Sequence, residues 1–92
     1  MEEQLGIGTV VISKCGRDKG RYFIVLKSEG GFVYLTDGAM RKLASPKKKK
    51  IKHINITSDK LENIADKLKS GKKVFDGEIK SALRVYNQKE QK

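Results

Sequence analysis

Glycine punctuation constrains the first half of this chain more than any other feature. Gly6-x-Gly8, Gly16 to Gly20, Glu29-Gly30-Gly31 and Asp37-Gly38 cut it into pieces too short for stable helices. The pieces between them, Thr9–Ser13, Arg21–Lys27 and Gly31–Thr36, are rich in β-branched and aromatic residues, the composition of strands. Strands this short, with turn signals this close, favour a small antiparallel barrel or sandwich over parallel βαβ units. A fourth strand is expected at Met40–Leu43 and a fifth at Ile51–Ile56, with Ile54 and Ile56 on one face. The tract Lys47–Lys50 between them reads as low-complexity, self-repelling and mobile around Pro46.

The second strand is apolar on both sides. Tyr22, Ile24 and Leu26 face one way, Phe23 and Val25 the other, so both faces of the sheet need cover. The second half can provide it. Leu61, Ile64, Ala65 and Leu68 recur at helical spacing, and so do Ile79, Ala82, Leu83 and Tyr86 after Asp76. Thr57-Ser58-Asp59 resembles an N-cap cluster, with Asp59 and Glu62 at capping-box spacing. Gly71 is placed to end the first helix. The polar tail Gln88–Lys92 is expected to fray. The expected class is therefore mainly β with α: a β-barrel over residues 1–56 and a helical extension over 57–92 packed on it.

Ninety-two residues suffice for one compact domain with a thin stability margin. Cys15 is the only cysteine, so no disulfide framework exists, and a lone thiol suits a reducing cytosol. Met1-Glu2-Glu3-Gln4 is acidic and polar, unlike a signal or transit peptide. No apolar run approaches membrane-spanning length, and neither helical segment has the bulky apolar face of a membrane anchor.

The formal net charge is +10. A cytosolic chain this basic needs a polyanionic partner or a specific reason to be without one. Residues 1–56 carry twelve cations against five acids, and Arg41–Lys52 holds seven cations and no acid. Two cationic stretches stand out. In the first, Gly16 and Gly20 permit close backbone approach, and Arg17, Lys19 and Arg21, with Lys14 alongside, put charge beside exposed amides suited to phosphate oxygens. The same loop also reads as an ordinary hairpin turn, with Asp18 capping it or pairing Arg21. The second stretch is Arg41, Lys42, Lys47, Lys48, Lys49, Lys50 and Lys52. Lysine rather than arginine dominates it, which favours backbone contact and shape recognition over base reading; a solvated basic loop is the plain alternative.

Tyr22, Phe23, Phe32 and Tyr34 are expected to serve the core before any base-stacking role, since this small chain has no Trp. His53 and Cys15 have no partners in sequence for metal binding or nucleophilic catalysis. No paired carboxylates, nucleotide-binding loop or metal-ligand cluster is evident, so neither an enzyme nor a cofactor is expected.

Gly8–Leu26, with its glycine-centred basic loop Gly16-Arg17-Asp18-Lys19-Gly20, resembles a KOW motif, found in several ribosomal proteins and in transcription elongation factors of the NusG type. Asp37-Gly38-x-x-Arg41-Lys42-Leu43, then Pro46-Lys47-Lys48-Lys49, then Lys52-His53, extend the resemblance over roughly residues 6–56. Those stretches are similar to the KOW domain of the large-subunit ribosomal protein family numbered fourteen in archaea and eukaryotes. The resemblance implies an SH3-like antiparallel barrel that touches RNA, and it adds His53 to the candidate contacts. The expectation is a monomeric, cytoplasmic, ribosome-associated protein that binds structured RNA, ribosomal RNA of the large subunit above all, with ribosomal proteins as further neighbours and no membrane. The alternative is an SH3-like protein-interaction module of the translation or transcription machinery.

Overall fold

The computed structural model describes residues 6–89, so the reading of Met1–Gln4 and the last three residues of the tail lie outside it. Five strands form one antiparallel sheet: β1 (Thr9–Ser13), β2 (Tyr22–Glu29), β3 (Phe32–Thr36), β4 (Lys47–Lys50) and β5 (Ile54–Lys60). Two helices follow, α1 (Glu62–Lys69) and α2 (Asp76–Lys89). The strand order is β4-β3-β2-β1-β5, so β4 and β5 are the two edges.

A short connection forces this sheet to curl. β4 and β5 are joined only by a single 3₁₀ turn, Ile51–His53. Five flat strands at about 4.8 Å spacing would hold the outer two about 19 Å apart. The four links from Lys50 to Ile54 span at most about 14 Å. The edges must therefore approach at this end. No ladder joins β4 to β5 among the described residues, so the sheet is strongly bent but open. Its concave side is packed by Val11, Phe23, Val25, Val33, Leu35 and Ile54, with Ile51 at the margin.

The convex side is covered by the helices. Val10 and Ile24 lie under Ile64, Ile79 and Leu83, ringed by Tyr22, Leu61, Leu68, Ala82 and Tyr86. Both faces of β2 are thus covered from Tyr22 to Val25; a bulge at Leu26 then interrupts the alternation, and Lys27–Glu29 are exposed. Each fully buried aliphatic or aromatic side chain here contributes about 1.5–3 kcal/mol. Tyr22 and Tyr86 pack with ring centroids 5.2 Å apart, and the Tyr22 amide donates to Asn87 Oδ1 at 2.9 Å, fixing the far end of α2 to the start of β2.

Several boundaries differ from expectation. Met40–Leu43 is not a strand. Asp37 Oδ1 accepts the amides of Ala39 and Arg41 at 3.0 and 2.8 Å, and the Arg41 carbonyl accepts the Asp37 amide, so residues 37–41 wrap around one carboxylate. The fourth strand is instead Lys47–Lys50, which pairs with β3 from Leu35↔Lys47 to Phe32↔Lys50. The fifth strand starts three residues later than expected and runs to Lys60, past the expected division at residue 56. Thr57–Asp59 therefore does not cap a helix: the Thr57 hydroxyl donates to the Val10 carbonyl at 2.7 Å, and Asp59 Oδ2 accepts the Tyr86 hydroxyl. Pairing with β1 overrides the local capping signal. α1 starts at Glu62 after Leu61, without a side-chain cap. Ile54 is buried as expected, but Ile56 is 38% exposed.

The helix periodicities hold. Ile64, Ala65, Ile79 and Leu83 are buried. Gly71 follows the C-cap of α1, with the Lys72 amide donating to the Lys67 carbonyl at 2.8 Å, the long-range bond of a Schellman motif. At the other junction Glu78 accepts the Phe75 amide and the Lys67 ammonium, tying the two helices together. α2 includes Gln88 and Lys89, so the first part of the tail is helical.

Gly38 lets the first turn of α2 pack directly against the loop after β3. Its φ is +75°, and a Cβ there would overlap the Asp76 carbonyl and lie 2.7 Å from the Lys80 nitrogen. Asp76 in turn accepts the Leu43 amide at 2.7 Å. Gly38→Ala is expected to lose about 2–4 kcal/mol in urea unfolding, from left-handed strain plus overlap. Gly20→Ala, at φ +86° with nothing within 4 Å, should lose only about 1–2 kcal/mol. Equal losses would show that α2 does not rest on Gly38.

Candidate functional site

The two cationic stretches meet. The loop Gly16–Arg21, between β1 and β2, and the edge strand β4 line one open cleft of about 370 Å³, completed by Met40 and Asn87. The curl of the sheet makes this contact, because it turns the concave side of β4 toward the β1–β2 loop. A buried lysine secures it. Lys49 is only 9% exposed; its Nζ lies 3.1 Å from both Asp18 Oδ1 and the Cys15 carbonyl oxygen. Asp18 Oδ1 also accepts the Ser13 hydroxyl at 2.9 Å. Strand register explains the orientation: Lys49 pairs with Val33 and shares its concave face, whereas Lys48 and Lys50 pair with Tyr34 and Phe32 on the convex face.

A second acid, the buried Asp37, holds the other end of the loop. Arg21 Nε donates to Asp37 Oδ2 at 2.7 Å, and Asp37 is 1% exposed. Asp18 therefore does not pair Arg21; each acid takes a different cation. The two pairs remove Lys49 and Arg21 from the free cationic set and give them structural roles. Burial, the largest single influence, pushes both carboxyls upward, but the opposing contacts together outweigh it and leave each below the ordinary carboxylate range. For Asp37 these are the Arg41 amide, the Arg21 guanidinium and the Ala39 amide. For Asp18 they are the Lys49 ammonium and the Ser13 hydroxyl.

The remaining expected cations are placed as follows. Lys14, Arg17 and Lys19 are exposed around the loop, and Arg17 and Lys19 line the cleft with half-buried Lys47. Lys48, Lys50 and Lys52 are exposed, and His53 is half-buried in the 3₁₀ turn, where its carbonyl accepts the Lys14 amide. Arg41 is half-buried and Lys42 exposed in the segment after Asp37; the cleft takes Met40 from that segment, not these two. Cys15 is exposed.

The loop amides are partly engaged. Those of Lys19, Gly20 and Arg21 donate within the loop or to Ser13, whereas those of Gly16 and Arg17 find no acceptor among the described residues. The tip thus offers two amides beside Arg17, a smaller anion-binding nest than the whole loop suggested. Lysines on an edge strand also discourage strand addition, so part of the β4 composition serves the sheet itself.

Sequence reasoning missed Met40 and Asn87 as cleft walls, and Asp18 and Asp37 as the two anchors. The Asp37-Gly38 turn signal was visible, but its partner Arg21 lies sixteen residues away. On the convex side, Phe32 and Tyr34 are half-buried rather than core, with Lys48 Nζ 4.6 Å from the Phe32 ring centroid and Lys27 Nζ 5.2 Å from that of Tyr34. Exposed cation–π pairs of this kind contribute about 0.5–1 kcal/mol. Among the described residues no group of three or more His, Cys, Asp or Glu side chains could hold a metal ion, and no helix is long and apolar enough to cross a membrane. No protein-family model matches the chain, and no curated protein matches it.

Adjacent lysines should differ sharply. Lys49→Glu sets a second carboxylate against Asp18 in a nearly dry site and is expected to lose about 3 kcal/mol or more; Lys48→Glu should stay within about 1 kcal/mol. Thermal unfolding of the two variants decides this. For the acids the sign is fixed by their lowered folded pKa values. Their stabilisation is complete above the unfolded carboxylate range near pH 4 and is lost as pH falls through the folded values. Asp37→Asn should therefore flatten the loss of stability below about pH 4 seen in acid titrations followed by circular dichroism; an unchanged acid limb would contradict the pair.

Proposed function

We propose that this protein binds structured RNA through the cationic rim formed by the Gly16–Arg21 loop and β4. The observation that carries the reading is the shared cleft: Arg17, Lys19 and Lys47, distant in sequence, stand around one opening. Phosphate oxygens suit this rim. It offers two flexible ammonium groups, one guanidinium and the unengaged amides of Gly16 and Arg17. With the surplus carried mainly by lysine, affinity comes from the sugar-phosphate backbone and recognition from RNA shape more than sequence. Lys14, Lys48, Lys50 and Lys52 extend the positive field, and Arg41, Lys42 and His53 form its outer margin. Lys49 and Arg21 act indirectly, by holding the loop against β4.

In this reading the bent sheet is an SH3-like barrel of the KOW kind. The strand order, the 3₁₀ turn between β4 and β5, and the KOW-like segment at Gly8–Leu26 support it. The resemblance to large-subunit ribosomal KOW domains makes ribosomal RNA the proposed partner and the ribosome the proposed location. Sedimentation of a lysate at low and high salt tests this: the protein should travel with ribosomes at low salt and be released by salt or RNase. Association that survives both treatments would support the SH3-like protein-interaction module instead.

Binding should weaken steeply with salt. Between 50 and 200 mM salt, about six phosphate contacts would lower affinity on the order of 10³-fold. Arg17→Glu combined with Lys47→Glu is expected to cost about tenfold or more in affinity, similarly for unrelated structured RNAs, and to reduce the magnitude of the log–log salt slope by about 2. Filter binding across that salt range measures both. Unchanged affinity and slope in a folded double variant would overturn the assignment of the rim.

A further inference from the structure

The convex face of β3 and β4 carries two aromatic rings, Phe32 and Tyr34, that the phosphate-binding rim does not use. Register places Phe32 opposite Lys50, and Tyr34 opposite Lys48 on one side and Lys27 on the other. These five side chains therefore share one face of the sheet. Neither ring belongs to a buried cluster, because Val33 and Leu35 supply the core from the other side of the same strand. The helices pack over Val10 and Ile24 of β1 and β2. A lysine ammonium stands over each ring: Lys48 over Phe32 and Lys27 over Tyr34. Glu29, on the same face, stands opposite Phe32 and pairs with Lys27 at 3.4 Å.

We propose that Phe32 and Tyr34 form a stacking platform for two unpaired bases of a single-stranded RNA segment, with Lys27, Lys48 and Lys50 holding its phosphates. The proposal rests on the RNA-binding reading above and adds the class of RNA element this face accepts. Two residues along a strand are about 6.6 Å apart, whereas nucleotides stacked in a helix rise about 3.4 Å. Rings at that spacing match bases that are splayed, not bases kept in a duplex. The lysines that now rest on the rings are exposed and long, so a base can take each ring face while the ammonium group moves to the adjacent phosphate. β4 connects the two surfaces: Lys47 and Lys49 point into the cleft, Lys48 and Lys50 toward the rings. Because β4 is an edge strand, an RNA chain leaving the cleft crosses only that strand to reach the platform. The shared substrate is then a structured RNA with an adjoining single-stranded loop or end.

The test compares a single-stranded oligouridylate with an RNA duplex of equal charge, by fluorescence anisotropy on the full chain. Phe32→Leu combined with Tyr34→Leu keeps apolar cover but removes both π-faces. Single-strand affinity should fall about 10-fold or more, while duplex affinity changes less than about twofold. Tyr34→Phe should retain single-strand binding but abolish the part of the tyrosine fluorescence quenching that comes from Tyr34; the chain has no Trp to mask it. If the Leu variant loses both RNAs equally, or loses neither, the platform is refuted while RNA binding stands. If the wild-type chain binds neither RNA, both this inference and the function it rests on fall. An oligoglutamate that binds in a ring-dependent manner, with RNA binding independent of the rings, would give the face to a protein partner and overturn the inference.

Discussion

The ammonium group of Lys49, enclosed between Asp18 and the Cys15 carbonyl, is the contact on which the rest of this molecule depends. A three-residue turn between the two edge strands already forces the sheet to bend. Bending alone does not say how the β1–β2 loop meets β4. The Lys49–Asp18 pair does, in a site too dry for either group to be left alone. Arg21 and Asp37 repeat the device at the other end of the loop. Two acids thus position a loop whose remaining charges are cationic, and the cleft between loop and edge strand follows.

The consequence for function is a division of labour along four consecutive lysines. Alternation along β4 turns Lys47 and Lys49 to the concave side, where Lys49 enters an ion pair with Asp18, and Lys48 and Lys50 to the exposed convex side. The positive field arises where pairing stops: at Arg17 and Lys19 on the loop, at Lys47 in the cleft, and at Lys48 and Lys50 beyond it. On the helices, lysines interleave with acids, and Lys67 is engaged by Glu78. The proposed RNA partner is consistent with a surplus carried mostly by lysine around β4.

Much of the architecture was legible because hydrophobic periodicity reports burial directly. Thr9–Ser13 is a strand with the expected limits, both apolar faces of β2 found cover, and the stripes through Ile64 and Ile79 became the buried sides of α1 and α2. The failures share a cause. Lys47–Lys50 has no apolar pattern, so its strand character comes wholly from pairing with β3 and from one inward lysine, neither of which has a local signature. Thr57–Asp59 carries a sound capping signal that lost to a longer ladder with β1. Met40–Leu43 looked extended, but the Asp37 carboxylate gathers that backbone into a loop. At the site, an acid-free stretch of sequence did not mean an acid-free surface, because Asp18 and Asp37 arrive from other segments. Which lysines are free could be read only from the fold.

The central claim, that RNA meets this protein at the loop–β4 surface while Lys49 stays internal, is tested most directly by NMR. A structured RNA titrated into the isotope-labelled chain at low salt should perturb Arg17, Lys19 and Lys47 most strongly, leaving the Lys49 ammonium, Lys69 at the end of α1, and Lys72 and Lys73 between the helices nearly unmoved. Perturbations centred on the helices, or a Lys49 ammonium that leaves Asp18 for the RNA, would contradict it.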